Sequence, residues 1–467
     1  MDSSGKRELE QILASLEELH LSVMTAVRQA IAGQAAYDTS FEDTGNGDVS
    51  YAIDTKSESL IVAWFEQNAF DGGVVVIAEG IGKRVFPAGC AEETARWRVI
   101  LDPLDGTRHI MYDNRSCWIL TGVAPNRGEG TSLRDIAAAI QTEVPTSLQD
   151  KCAVLTAIKG GGVNAKIVRC APPHGQVSDL RLRPSRADSF ENGFLVFSNF
   201  FPGCKSVIAD IEERLTARLL GEAKENGATV FSEQYICNAG QLFMLMSGKY
   251  RMVADIRGGL GDWQSRNGKP LPLCSHPYDL SAILIAREAG CLILDENGGD
   301  FDAPLDLHTN CSWLAYANAA LMQKAQPLFA QAKKEATHLI VSDCVMPNGE
   351  RRYRMTGAGG SGYIRVEAGQ QGGWQNAHTH LSFEEITVVQ EGAMLAVWQN
   401  PGGAREAKAF RAGECFCAKI NVPHNQYLSP GAVTHTVKYG GGSERDWHPH
   451  GALDAYSKAL DAQALLA

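Results

Sequence analysis

No window of this 467-residue chain approaches about 18 uninterrupted apolar residues, which excludes a membrane-spanning helix on composition. The first ten residues, Met1 to Glu10, are polar and charged and lack the apolar stretch of an export signal, so a cytoplasmic location is expected. Basic residues are the minority. Lys and Arg number 43 against 54 Asp and Glu, a formal charge of −11, which disfavours nucleic acid or an anionic membrane as partner. The twelve cysteines have no pairwise framework spacing, and reduced thiols are expected. What is present is ordinary for a globular protein, 44% hydrophobic and 21% charged, at a length that suggests two or three domains.

The chain is organised around Trp97-Arg98-Val99-Ile100-Leu101-Asp102-Pro103-Leu104-Asp105-Gly106-Thr107. Its apolar, β-branched start reads as a buried strand, and Pro103, unable to continue a central ladder, predicts a turn with Asp102 and Asp105 beside it. Two carboxylates held that close repel unless cations sit between them. A hard ion such as Mg²⁺ takes oxygen ligands and keeps waters that a phosphate can displace, while Gly106 and Thr107 offer backbone N–H groups to that phosphate.

The hexapeptide Asp102 to Thr107 resembles the signature of the inositol monophosphatase family, which includes fructose bisphosphatases and nucleotide bisphosphate phosphatases. Flanking segments extend the resemblance over roughly residues 5 to 335. Leu9, Ile12, Leu13, Leu16, Leu19, Val23 and Val27 recur at helical spacing before a stop at Gly33. The segment from Gly47 and Asp48 through Ser50 leads to Asp54, which on local sequence is equally a helix cap; by the resemblance it orients the Thr107 hydroxyl towards a metal-activated water. Gly73 to Ala78 is a strand ending at Glu79, which matches the family's metal-binding glutamate, although the second acid of that triplet is replaced by Gly80. Arg108, His109 and Ile110 stand where the family has asparagine and phenylalanine, so substrate identity does not carry over. Gly248 to Gly258 reads as a closing strand, and Pro277 to Gly290 resembles the second signature, with Asp279 at a helix start as a further metal ligand and Tyr278 in place of tryptophan.

Beyond about residue 337 the texture changes to short strands between glycine-rich turns, a pattern of a small all-β barrel or jelly roll. Within it His378 and His380 alternate onto one strand face and Glu385 follows, a metal cup resembling the first cupin motif; Gly413 to His424 resembles the second and supplies His424. Cys415 and Cys417, sharing a face, are expected in the barrel core. His448 and His450 are expected in a fraying tail. Two decoys are set aside on context. Gly357 to Gly362 matches a dinucleotide fingerprint but runs into a strand, and Asp295 to Asp300 lacks the ligands of a calcium loop and reads as a hairpin.

The resemblances imply an α/β layered sugar-phosphatase (inositol monophosphatase-like) fold over residues 1–335, an all-β cupin barrel over 336–450 and a helical tail over 451–467. They imply a Mg²⁺-dependent phosphomonoesterase for a small sugar, inositol or related phosphate. Two or three Mg²⁺ ions would be held by Glu79, Asp102, the Leu104 carbonyl, Asp105 and Asp279, with Asp54, Thr107 and Glu79 catalytic and Gly106 and Thr107 on the phosphate. A fructose bisphosphatase, a nucleotide bisphosphate phosphatase or a scaffold carrying a metabolite-binding cupin are the alternatives. One transition metal, Fe²⁺, Mn²⁺, Ni²⁺ or Zn²⁺, is expected on His378, His380, Glu385 and His424. The expected partner is a small phosphorylated metabolite, and the expected assembly a homodimer.

Overall fold

A computed structural model describes residues 3–32, 41–43, 49–221, 229–267, 270–357, 359–441 and 446–467. Gly33, Gly47, Asp48 and Ala358, used in the sequence reading, lie outside the described residues. The chain divides into two compact units, Met1–Asp262 with Pro270–Ala332, and Trp263–Lys269 with Lys333–Ala467. Among the described residues no helix is long and apolar enough to cross a membrane.

The first unit is α/β. Its large sheet has eight strands in the order Gln176–Asp179, Val163–Arg169, Lys151–Ile158, Ala138–Val144, Cys117–Pro125, Trp97–Asp105, Val74–Ala78 and Gly82–Phe86. The helix Ser3–Ala32 lays Leu9, Leu16, Leu19 and Val23 into one core with Val99, Leu101 and Ile140 of that sheet. Each such leucine contributes roughly 1.5–3 kcal/mol by leaving water. His20, on the same helix, is fully buried between the Thr142 and Thr121 hydroxyls, at 3.0 and 2.9 Å. A second sheet runs Val230–Phe231, Gly193–Phe197, Tyr250–Asp255, Trp313–Tyr316, Leu292–Asp295, with its first three strands mutually parallel.

Two features place the acidic residues. Val74–Ala78 and Trp97–Asp105 pair in parallel, Ala78 opposite Leu101, so both strands end on the same side and Glu79 follows beside Asp102. The turn expected at Pro103 is instead a register shift. The strand continues to Asp105, and against Cys117–Pro125 the pairing passes from Asp102 opposite Leu120 to Asp105 opposite Trp118, leaving Pro103 and Leu104 out of the ladder. An irregularity of this kind accommodates the missing proline N–H without ending the strand and re-aims the side chains beside it. Gly106 follows at φ +98, a left-handed conformation that favours glycine, and starts the short helix Thr107–Met111.

The second unit is all-β in two six-stranded antiparallel sheets, followed by the helices Gly451–Lys458 and Ala462–Leu466. Two expectations are overturned in this unit. Cys415 and Cys417 are exposed, because the period-2 alternation of Cys415–Ala418 turns Phe416 and Ala418 inward instead. The terminal segment does not fray: His448–Pro449 pairs with His378–Thr379, and Leu453, Ala462 and Leu466 are buried against Leu395 and Tyr427. In the first unit the segment Asp295 to Asp300 turns as the expected hairpin, with Leu294 bridged antiparallel to Asp300, Asp295 N–H donating to Gly299 O at 2.8 Å and Phe301 N–H to Ile293 O at 3.2 Å; Leu292–Asp295 also pairs with Trp313–Tyr316. Gly357 closes the strand Arg351–Gly357 and Gly362 opens its antiparallel partner Gly362–Glu367, so the motif leads into a strand and not into the helix that a dinucleotide fingerprint requires.

Candidate functional site

In the first unit one carboxylate oxygen each of Asp102, Asp105 and Asp279 lies within 4.8 Å of the others. Asp102 is buried at the strand end and accepts the Leu104 N–H at 2.9 Å. Asp105 is buried and accepts the Ala239 N–H at 2.6 Å, from the first turn of the helix Asn238–Met246. Asp279 belongs to a 3-10 turn, Pro277–Leu280, that precedes the helix Ile283–Glu288, and it accepts the His276 N–H at 2.6 Å. That turn sits close to the sheet because position 122 is glycine: a Cβ there would stand 2.3 Å from the Ser281 carbonyl oxygen.

These carboxylates are poorly solvated and repel one another. Burial, then the charges of Glu79, Asp105 and Asp279, pushes Asp102 well above the usual carboxylate range. Burial raises Asp105 to about 6 against the hydrogen bonds it accepts, and burial with Asp105 raises Asp279 strongly. The arrangement is costly as bare anions and suits hard cations with oxygen ligands. Glu79, half-buried, lines the same cleft of about 80 Å³, as do the Leu104 and Gly106 backbone and Thr107.

Asp54 lies in the first turn of the helix Ala52–Gln67, and its Oδ1 accepts the Thr107 hydroxyl at 2.9 Å; the Leu104 carbonyl lies 2.8 Å from the same hydroxyl. Arg108 is half-buried with its guanidinium 5.1 Å from the Phe201 ring centroid. The sequence reading missed Arg257 and Asp255. Arg257 is buried, donates from Nε and Nη2 to the Asp255 carboxylate at 2.8 and 2.5 Å, and lies over Phe200 at the rim of the cleft. The available signal was Ala254-Asp255, an acid closing a strand as Asp105 does, within a segment read only as a strand.

In the second unit one ligand atom each of His378, His380, Glu385 and His424 lies within 4.8 Å of the others. His380 Nε2 is 2.9 Å from Glu385 Oε1 and His424 Nε2 is 3.2 Å from Glu385 Oε2. Each imidazole is anchored through its other nitrogen to a backbone carbonyl: His378 Nδ1 to Asn376 O at 2.9 Å, His424 Nδ1 to Val422 O at 3.0 Å, and His380 Nδ1 to Asp446 O. A carbonyl can only accept, so each Nδ1 donates and each Nε2 is turned towards the centre, the outer-shell arrangement that fixes metal-binding histidines. Burial, with His424 nearby, lowers His378 to about 3, so it is neutral at pH 7. The donor set therefore fits a transition ion.

Two groups at this centre had no sequence signal. Lys438 places Nζ 2.6 Å from Glu385 Oε1, from a strand whose Lys438 is in register with Glu385. Asp446 accepts from the Leu381 and Ser382 N–H groups at 2.8 and 2.7 Å; against the effect of burial, these and the Ser382 hydroxyl hold its carboxyl down at about 2, fixing the loop behind His380.

No family model and no curated protein matches this chain. Solved structures do resemble it. They include the extragenic suppressor protein SuhB from Bartonella henselae (15% identity over 68% of this chain and 98% of that one, TM-score 0.48) and an inositol monophosphatase-fructose 1,6 bisphosphatase (15%, 68% and 98%, TM-score 0.46). Leishmania major fructose-1,6-bisphosphatase is 13% identical over 69% of this chain and 93% of its own, with a TM-score of 0.49.

Proposed function

We propose that the first unit is a Mg²⁺-dependent phosphomonoesterase that hydrolyses a small sugar, inositol or related phosphate, as the resemblance of its signatures to the inositol monophosphatase family implies. The observation that carries the reading is the cluster of Asp102, Asp105 and Asp279 carboxylates within 4.8 Å, in a cleft where burial penalises their charge. A scaffold has no physical need for such a cluster. Glu79 and the Leu104 carbonyl would complete the ligand set. Mg²⁺ there supplies polarisation of the phosphoryl group and neutralises charge on the leaving oxygen.

The chain's own part in the reaction is proton handling and orientation. With Thr107 donating to Asp54, a lone pair on Oγ1 is free to accept from a water in the cleft. As that water attacks phosphorus, its proton passes to Thr107 Oγ1 and the threonine proton to Asp54 Oδ1, while the ester oxygen departs with a proton from solvent. The Gly106 and Thr107 N–H groups would hold the phosphate in line. No covalent enzyme intermediate is needed.

For the second unit the reading is a cupin holding one ion of Fe²⁺, Mn²⁺, Ni²⁺ or Zn²⁺ on His378, His380, Glu385 and His424, supported by the three Nδ1 anchors. Purified full-length protein, assayed with Mg²⁺ against sugar, inositol and nucleotide phosphates, tests the phosphatase. Release from one class of monoester is expected, and silence across the panel in Mg²⁺ overturns it.

A further inference from the structure

A cavity of about 590 Å³ inside the second unit opens onto His378 and Glu385. One wall is a single sheet face. Arg352 and Arg354 are two apart on Arg351–Gly357 and pair with Val366 and Ile364; Ile364 pairs with Thr436, and Lys438, two residues on, pairs with Glu385. Period-2 alternation puts all of these on one side, and all line the cavity. Trp374 and Trp447 also line the cavity and supply apolar area, Trp447 stacked on the His378 ring with centroids 5.3 Å apart.

The charges on this wall do not balance. Arg352 is satisfied: its Nε and Nη2 both donate to Glu350 Oε2, at 2.9 and 2.7 Å. Lys438 is matched by Glu385. Arg354 has no ion pair among the described residues, and its buried Nε has no hydrogen-bond partner there. Burial, then the Arg352 charge, lowers Arg354 from the ordinary arginine value. The wall thus has one positive charge in excess before any metal binds, and a divalent ion at the four-residue centre raises the excess to three. A guanidinium held half-buried without an acid costs free energy that an anionic ligand recovers.

We propose that this cavity binds a small organic dianion. One anionic end lies on Arg354, the other meets Lys438 and the histidine centre, and the carbon skeleton rests on Trp374 and Trp447. A guanidinium fork matches carboxylate and phosphate equally, so a dicarboxylate and a phosphorylated acid share this chemistry. The metal-directed end rests on the cupin reading above; the Arg354 end does not.

The test uses the full chain. Metal content is measured after loading with Co²⁺ and dialysis, and 2-oxoglutarate, 3-phosphoglycerate and uncharged ribitol are titrated by calorimetry with and without cobalt, following the Co²⁺ absorption bands. One equivalent of one dianion is expected to bind and to shift those bands, with no heat from ribitol. Arg354→Gln should weaken binding about tenfold to a hundredfold, the worth of a charge-assisted partner, at unchanged cobalt content. Arg354→Lys should recover part of it, which separates lost charge from lost fold. Asp105→Asn, in the first unit, should leave it intact, so that binding at the acidic cleft is told apart. Equal affinity in Arg354→Gln, or no heat from either dianion, overturns the proposal. A chain that retains no cobalt yet binds a dianion through Arg354 upholds the anion site and overturns the metal centre.

Discussion

The Thr107 hydroxyl oxygen stands 2.9 Å from Asp54 Oδ1, a contact between residues 53 apart that begin two different helices. As a helix cap alone, Asp54 would serve its own first turn. In the proposed mechanism its reach to Thr107 makes the carboxylate the acceptor for a proton leaving the cleft. Asp54→Asn keeps the shape and removes the base, so kcat for phosphate release is expected to fall about 10²- to 10⁴-fold with little change in KM. Steady-state kinetics on whichever monoester the panel identifies would check this; a loss confined to KM would reduce Asp54 to a structural partner.

Asp105→Asn removes a charge from the carboxylate cluster yet retains an oxygen for the Ala239 N–H, now at 2.6 Å. Phosphate release should become undetectable while the far-ultraviolet circular dichroism spectrum is unchanged. Activity within threefold of the parent would remove Asp105 from the ion-binding set.

Gly122 decides how close the Asp279 turn can come. Because a Cβ at this position would lie 2.3 Å from the Ser281 carbonyl oxygen, and backbone cannot swing aside as a side chain can, Gly122→Ala must push the turn away. A stability loss of about 1–3 kcal/mol is expected, together with a raised Mg²⁺ requirement, since Asp279 moves with the turn. Urea unfolding and a Mg²⁺ titration of activity measure the two; a variant matching its parent in both would show that the sheet yields instead.

Much of the candidate site was legible because its residues sit at ends of locally readable elements. Asp105 closes an apolar strand that carries Asp102 just before its end, Glu79 follows directly on another, and His378 opens the two-residue strand His378–Thr379 with His380 directly after it. Pairing was less accessible. That Val74–Ala78 and Trp97–Asp105 run parallel and bring Glu79 beside Asp102 depends on the crossover between them, and strand composition is silent on it. Cys415 and Cys417 show how a correct strand yields a wrong face: both parities of Cys-Phe-Cys-Ala can be core, and only the ladder with Phe383–Glu391 selects Phe416. Lys438 and Arg354 were invisible for a related reason. An isolated basic residue on a strand looks solvated until the sheet order places it beside Glu385 or inside a cavity.

The two candidate centres share no residue, so their ions should be separable. His378→Ala combined with His380→Ala is expected to abolish retention of about one transition-metal ion per chain through dialysis against a mild chelator, while Mg²⁺-dependent turnover stays within about twofold. Elemental analysis and phosphate release are read on the same preparations. A parent that is metal-free after dialysis would leave the histidine cluster as hydrogen-bonded structure.

His20 offers a pH test of the core that involves neither centre. Burial lowers it from the ordinary 6.5 to about 3, and both ring nitrogens are engaged by threonine hydroxyls, so in the folded chain it stays neutral through mildly acid conditions. In the unfolded chain it protonates near 6.5. Between those values the unfolded state binds one proton more than the folded state, so the contribution of His20 is complete above about pH 6.5 and is lost as the pH falls towards 3, at up to about 1.4 kcal/mol per pH unit. Carboxylates also titrate in part of this range, which makes the comparison with a non-titrating side chain the informative one. His20→Gln can still meet Thr121 and Thr142. Its urea stability relative to the parent should therefore improve steadily from pH 6.5 down to pH 4, narrowing or reversing any deficit seen at pH 7. A difference between the two proteins that stays constant over that interval would mean that His20 is protonated, or solvated, in the folded state.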